Sequence, residues 1–257
     1  MKRIFKVLLG VFGGYVFLVK PRFRKHRLIK RFLDWDYAHR GLHDKDSPEN
    51  TLAAFKKAVE GGYGIEMDVR SSKDGLIIHH DEDLQRSQGS REFVDSLDTA
   101  SLKARPIFDS QEVIPTLMEA LETIDTRTPL LLEIKSEKDH FNNARKVQEI
   151  MDGYNGDYII ESFHPIILLW YRLNRPDVLR GQLSGIELGQ GPWLDFALRH
   201  LLFNFLTRPD FIAYEKVGGF SPWLLHKLST PTFAYTITKP EEKKSYFDAI
   251  IFEDFLA

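Results

Sequence analysis

The sequence predicts an α/β protein folded as a (β/α)8 barrel of the TIM type, preceded by an N-terminal hydrophobic membrane-anchor helix. Three observations point there. From Asp36 onward, strand-like and helix-like segments alternate with no long linker, repeat or low-complexity run between them. The length of 257 residues suits one large domain, near the ~250 residues typical of such barrels. The glycine-rich GxGxxG and GxxxxGK loops of nucleotide-binding doubly wound sheets are missing. The expected division is an anchor with a basic arm over residues 1–31 and a barrel over 32–257.

The first element is the apolar stretch Ile4–Val19, unbroken from Val7. As a helix its sixteen residues reach about 24 Å, short of the roughly 30 Å hydrocarbon core. Flanking lysines can snorkel and the bilayer can thin. Lys20-Pro21 follows where a secretory signal would carry a small-residue cleavage site, so the reading is an uncleaved anchor. A helix lying in the interface, with its basic arm on anionic lipid, is the shorter-reach version. A disordered or core-docked helix is the reading without lipid. Seven Lys or Arg lie within twelve residues after the run against three before it, so the positive-inside rule keeps the body cytoplasmic.

Strands are expected at Asp36–His39, Gly64–Val69, Leu76–His79, Leu130–Ile134, Tyr158–Glu161, Val178–Leu183, Phe211–Tyr214 and Thr232–Ile237, with Ala249–Phe252 as an extra. Helices are expected at Thr51–Glu60, Thr116–Ile124, Phe141–Met151, Pro165–Leu173, Pro192–Leu206, Ser221–Leu228 and Glu241–Phe247. The Pro192 helix is apolar around most of its circumference, which ordinarily means burial in the barrel shell. The competing reading is a lip that dips into lipid, with Trp193 and Phe203 as wedges.

Composition removes several chemistries. There is no cysteine, which excludes disulfides, zinc–thiolate sites and cysteine nucleophiles. The net charge of −2 conceals ten basic and no acidic residues over 1–31, leaving a body of −12. Such a body repels polyanions, so no nucleic-acid partner is expected.

The chemistry concentrates at predicted strand ends, where barrels place their active sites. Residues two apart on a strand point the same way, so Glu66 pairs with Asp68 and Glu133 with Lys135. Buried acids are costly unless they hold a cation. Glu66, Asp68 and Glu133 thus form a candidate three-carboxylate site for one divalent cation, Ca²⁺ or Mg²⁺. The plainer alternative is ion pairing with Lys135 or Arg40. His39 ends the first strand and His80 the third, and two imidazoles suit a general acid and a general base. His79 alternates to the opposite face and is expected to be structural.

These residues lie in a recognisable order: His39-Arg40-Gly41, Glu49-Asn50-Thr51 with Ala54-Phe55, Glu66-Met67-Asp68-Val69, Lys73-Asp74-Gly75, His80-Asp81 with Leu84 and Arg86, then Ile114–Leu117 and Glu133–Lys135. The set resembles the glycerophosphodiester phosphodiesterases from about Tyr37 to Phe255. That resemblance implies a TIM-type barrel that hydrolyses glycerophosphodiesters to glycerol 3-phosphate and an alcohol, with a divalent metal. It implies His39 and His80 as the acid/base pair, Glu66, Asp68 and Glu133 as metal ligands, and Arg40 and Lys135 as phosphate contacts. Glu49 reads as a partner that orients the histidine or arginine. Asn50 reads equally as the cap of the helix beginning at Thr51.

The C-terminal half departs from the family pattern. Tyr235-Thr236 stands where a Trp-Thr pair is usual, making Tyr235 an aromatic substrate contact with an added hydroxyl. Glu253 stands where threonine is favoured. Only 33 residues separate His80 from Ile114, too few for an inserted subdomain, so a comparatively open mouth is expected. The substrate is a small glycerophosphodiester or, if residues 4–19 and the Pro192 helix meet lipid, a lysophospholipid. A tethered phosphoester-binding protein is the non-enzymatic alternative, and paired histidines argue against it.

Overall fold

Eight parallel strands close into a barrel in the computed structural model, which describes residues 2–22, 27–135, 138–186 and 191–257. Arg24 and Lys25 of the expected basic arm lie outside the described residues. The strands are β1 (Tyr37–Ala38), β2 (Gly64–Ser71), β3 (Leu76–Ile78), β4 (Leu130–Ile134), β5 (Tyr158–Ser162), β6 (Arg180–Ser184), β7 (Phe211–Glu215), β8 (Thr232–Ile237) and β9 (Ala249–Phe252). β1 pairs with both β2 and β9, which shuts the ring. Two expectations change here. β3 is no barrel stave: it runs antiparallel to the far end of β2, with Val69 opposite Ile78. The eighth stave is β9, the segment expected only as an extra.

Alternation along each strand builds two cores. Tyr37, Leu131, Ile159, Leu183, Phe211, Phe233 and Ile251 fill the barrel interior. Ala38, Met67, Leu132, Ile160, Ala234 and Phe252 face outward, against the helices. Ile29 and Phe32, from the short turn α2 (Lys30–Leu33) and the residues before it, join the interior cluster beside the strand-start residues Tyr37 and Phe211. The interior is therefore packed with large apolar side chains at its N-terminal end, leaving polar residues to its C-terminal end.

The helices follow local signals. α3 (Leu52–Gly61) is capped by Thr51, whose side chain accepts from Ala54 N, and ends at the left-handed Gly62. Asn50, the other candidate for that cap, turns to Asp68 instead. Two short helices, α4 (Gln85–Gln88) and α5 (Thr99–Lys103), lie in the stretch between β3 and the next helix, where Leu84, Val94, Leu102, Ile107 and Ile114 share a small core with Ile77. α6 (Leu117–Ile124) opens on a reciprocal capping box between Thr116 and Glu119. α7 (His140–Met151) and α8 (Pro165–Asn174) follow β4 and β5.

The single helix expected over Pro192–Leu206 is two short ones, α9 (Pro192–Arg199) and α10 (Asn204–Thr207), because the chain reverses at Leu201 with positive φ. Burial also differs: in α9 only Leu198 is buried, while Trp193 is 87% exposed and Phe196 half-exposed. Phe203, the second expected wedge, is half-buried. α11 (Phe220–Lys227) follows β7, and the helix expected at Glu241–Phe247 shrinks to a single turn at Pro240–Glu242.

The apolar N-terminal stretch is helical, α1 (Lys2–Val19). No helix among the described residues is long and apolar enough to cross a membrane. Three glycines and Lys6 dilute its apolar character, which removes support for the spanning form of the anchor. Only its last turns meet the barrel shell. Val19 is buried, Asn204 donates to the Val19 carbonyl at 2.7 Å, and Tyr15 bonds Ser221 at 3.1 Å. Ile4, Phe5, Val7, Leu8, Leu9 and Val11 are all exposed.

Candidate active site

Strand register brings the acids together. Asp68 on β2 lies beside Glu133 on β4, and Glu133 beside Glu161 on β5. Parity does the rest, since Glu133 shares the inward face of Leu131, and Glu161 that of Ile159. Glu66, Asp68 and Glu133 are buried, and each offers an oxygen within 4.8 Å of the others. Glu161 is buried next to them, with one carboxylate oxygen that has no hydrogen-bond partner among the described residues. A cavity of about 140 Å³ opens above this row, lined by His39, Arg40, Glu66, His80, Glu133 and Lys135 on one side. Glu161, Phe163, Leu183 and Tyr235 line it on the other.

Two cations answer the acids. Lys135 Nζ meets Asp68 Oδ1 at 2.8 Å and Glu133 Oε1 at 2.7 Å. Arg40 donates to Glu49 Oε1 at 2.8 Å and sits 3.2 Å from Asp68 Oδ2, while its backbone N–H donates to Glu66. Asn50 Nδ2 adds a bond of 2.7 Å to Asp68. Burial pushes the Asp68 carboxyl up, but Lys135 and Arg40 outweigh it and hold Asp68 well below the ordinary range. Glu66 goes the other way: burial, reinforced by Asp68 and Glu133, pushes it well above. Glu161 is raised by burial and by Glu66 and Glu133. Lys135 keeps its charge because Asp68 and Glu133 outweigh its burial.

Four clustered carboxylates thus face two cations, and one buried oxygen, of Glu161, has no hydrogen-bond partner among the described residues. That donor set fits a hard divalent cation, which takes oxygen ligands and removes the like-charge penalty. Glu66, Asp68 and Glu133 are the residues that would hold it.

Each candidate histidine is tied back by a carboxylate. His80 Nδ1 bonds Asp81 at 2.6 Å, and Asp81 is itself bound by Arg86 at 2.7 Å. Arg86 also grips Glu49 through both carboxylate oxygens, so Glu49, Arg40, Arg86 and Asp81 form one linked chain. His39 Nδ1 bonds Glu253 at 2.6 Å. A carboxylate can only accept, so Nδ1 carries the proton in both rings, and Nε2 makes no hydrogen bond among the described residues.

His80 owes its position to β3 rather than to a barrel stave. His79 N donates to the Asp68 carbonyl, which anchors the hairpin, and Arg70 donates to the His80 carbonyl at 2.8 Å. His79 points away, as alternation predicts, with its ring between the Asp81 carbonyl and Ser87. Tyr235 lines the cavity wall, its hydroxyl donating to the Ser184 carbonyl at 2.8 Å.

All the sequence-predicted residues therefore gather here: His39, His80, Arg40, Lys135, Tyr235, Glu66, Asp68, Glu133 and Glu49. Sequence reasoning missed Glu161, Asp81 with Arg86, and Glu253 as partners of that set. Asp81 was findable, being adjacent to His80. Glu161 carried a signal too, an acid on the inward parity of an apolar strand.

Known proteins resemble this chain in sequence and fold. Residues 39–197 match the family model described as the glycerophosphoryl diester phosphodiesterase family. A glycerophosphodiester phosphodiesterase of Caldanaerobacter subterraneus is 44% identical over 233 residues, covering 84% of this chain and 93% of that protein. Human glycerophosphodiester phosphodiesterase 1 is 30% identical over 184 residues, covering 65% of this chain and 55% of that protein. Among solved structures, an Oleispira antarctica phosphodiesterase in complex with the product sn-glycerol-3-phosphate superposes with a TM-score of 0.72. Its identity is 26%, over 88% of this chain and 95% of that one.

Proposed function

The chain belongs to the glycerophosphoryl diester phosphodiesterase family, a family of phosphoric diester hydrolases, and on that premise we propose that His39 and His80 cleave glycerophosphodiesters across a divalent-cation site. The products are glycerol 3-phosphate and an alcohol. The observation that carries the reading is that two imidazoles, each with Nδ1 tied to a carboxylate, share one cavity with a buried acidic row. Family membership leaves the non-enzymatic binding reading without support.

A cation held by Glu66, Asp68 and Glu133, Ca²⁺ or Mg²⁺, supplies charge for the nonbridging phosphate oxygens when bound. Arg40 and Lys135 add fixed positive charge on the same oxygens and orient the diester. One histidine accepts the nucleophile's proton at Nε2 and the other donates a proton to the departing alkoxide. The nucleophile is water or the glycerol 2-hydroxyl, and product analysis for a cyclic phosphate separates the two. Glu49 keeps Arg40 aimed inward, and Tyr235 forms a wall for the glycerol or the leaving group.

The test is release of glycerol 3-phosphate from glycerophosphocholine and glycerophosphoethanolamine by the full-length protein, with Ca²⁺, Mg²⁺ or chelator. Turnover that is lost with chelator and restored by a divalent cation is expected. Chelator-resistant turnover would remove the cation from the reaction.

A second reading concerns where the substrate comes from. Aromatic side chains stand exposed on α9 and α11, which follow the adjacent strands β6 and β7: Trp193, Phe196, Phe220 and Trp223. Tyr15 of α1 stacks on Phe220, 6.5 Å between centroids. These residues support α1 as an interfacial arm that holds the catalytic body, kept on the cytoplasmic side by the basic residues after α1, against anionic lipid. In that setting a lysophospholipid is a substrate of the same site, and choline release from lysophosphatidylcholine vesicles tests it.

A further inference from the structure

Glu253 occupies a position that no assigned role explains. β1 and β9 run side by side with Ala38 opposite Phe252, so the next residue of each strand, His39 and Glu253, meet at the rim. His39 N donates to the Phe252 carbonyl at 2.9 Å and Glu253 N to the Ile237 carbonyl at 3.0 Å, which fixes both backbones. The 2.6 Å bond from His39 Nδ1 to Glu253 Oε2 then follows from register alone. His43 approaches the same oxygen at 3.6 Å, so two imidazoles converge on one carboxylate.

The two histidine–carboxylate pairs differ in one respect. Asp81 shares its charge with Arg86, whereas Glu253 has only the imidazoles of His39 and His43 as ion-pair partners among the described residues. A carboxylate without a fixed counter-cation gives more of its charge to the ring it touches. His39 needs this. Burial lowers its proton affinity and Arg40 lowers it further, while Glu253, assisted by Asp68, pushes it back up.

We propose that Glu253 is a positioning residue of the reaction: it holds His39 as the Nδ1–H tautomer with Nε2 bare toward the cavity, and it stabilises the imidazolium when Nε2 takes a proton. The proposal rests on the reading of His39 as one of the two proton-transfer groups. It assigns a role to a glutamate whose charge a neutral side chain such as threonine cannot supply. His43 stands 3.6 Å from the same carboxylate oxygen, beyond hydrogen-bond range.

The experiment compares full-length wild type with E253Q, E253D and E253T, reading kcat and KM on glycerophosphocholine and the ¹⁵N resonances of His39. Wild-type His39 is expected as the Nδ1–H tautomer, and E253Q as a tautomer mixture. E253Q and E253T should lower kcat about 10- to 100-fold with little change in KM, as losses of such supporting carboxylates do. E253D should recover part of it. The pH limb that belongs to His39 should move to lower pH in E253Q, because the imidazolium loses its counter-charge.

A wild-type Nε2–H tautomer at His39 would overturn the proposal. So would wild-type kcat in a folded E253Q or E253T. If E253Q does not fold, E253T and E253D carry the same test. Absence of turnover in wild type would count against the catalytic reading, while the tautomer would still decide the role of Glu253.

Discussion

At the scale of single residues, the two proposed proton-transfer groups, His39 and His80, are distinguished by what stands behind them. His39 and His80 face a common cavity with Nδ1 satisfied, so only Nε2 is left for substrate. His79, one residue from His80, spends both ring nitrogens on the Asp81 carbonyl and the Ser87 hydroxyl of α4. The expected outcome is that His39→Ala and His80→Ala each lower kcat by about 10²- to 10⁴-fold. Divalent-cation affinity by calorimetry should remain that of wild type, because neither ring touches Glu66, Asp68 or Glu133 within hydrogen-bond range. Wild-type-like turnover in either variant would remove that residue from the mechanism. These two histidines and the acids of β2 were legible in sequence, because they sit in short motifs whose spacing matches strand parity. Glu253 was read only as a departure from pattern, because its partner lies 214 residues away.

At the scale of elements, the turn after β1 matters most. Gly41 has φ +82°, and a Cβ there would lie 2.9 Å from the Ala54 carbonyl carbon, which is backbone and cannot yield. The turn thereby folds onto α3 and presents Arg40 and His43 to their partners. Gly41→Ala should cost more than about 1 kcal/mol in urea unfolding, since alanine resists this φ and has no space. It should also lower kcat, and a variant as stable as wild type would refute the close approach.

α8 offers a pH prediction. His164 stacks on His140 with centroids 3.7 Å apart, and its Nδ1 accepts from Ile166 N at the start of that helix. Burial, with the neighbouring His140, lowers its pKa from 6.5 to about 4. The unfolded chain therefore binds the proton more readily. The stabilisation is fully present above about pH 6.5 and is lost as pH falls toward 4. Melting temperatures between pH 4 and 7 should fall less steeply in His164→Asn, which retains a capping group without the titration. Parallel curves for the two proteins would exclude this linkage.

At the scale of the whole molecule, charge and apolar surface are segregated. The arm over residues 1–31 is purely basic while the rest is acidic. The first turns of α1 stand clear of the body with Leu8 and Phe12 exposed. Flotation with phosphatidylcholine–phosphatidylglycerol vesicles should carry wild type and leave behind the Leu8→Asp, Phe12→Asp double variant, at unchanged turnover of glycerophosphocholine. Equal flotation of both would refute α1 as the interfacial element. The variant is placed away from the C-terminal end of α1 because that end and the chain after it are part of the body: Val19 is buried and Arg22 pairs with the buried Asp210.

The amino-acid sequence by itself determined the alternation of strands and helices, the acids of one strand face, and the local His39–Asp81 cluster. Those features depend on side-chain parity and short spacing, which are properties of a chain segment. Only the tertiary structure decided which segments close the ring, placing β3 outside it and β9 within. It also decided that Glu161 joins the acidic row and that Glu253 backs His39. Barrel closure brings the first stave against the last, and no local pattern records the register in which two strands so distant along the chain will pair.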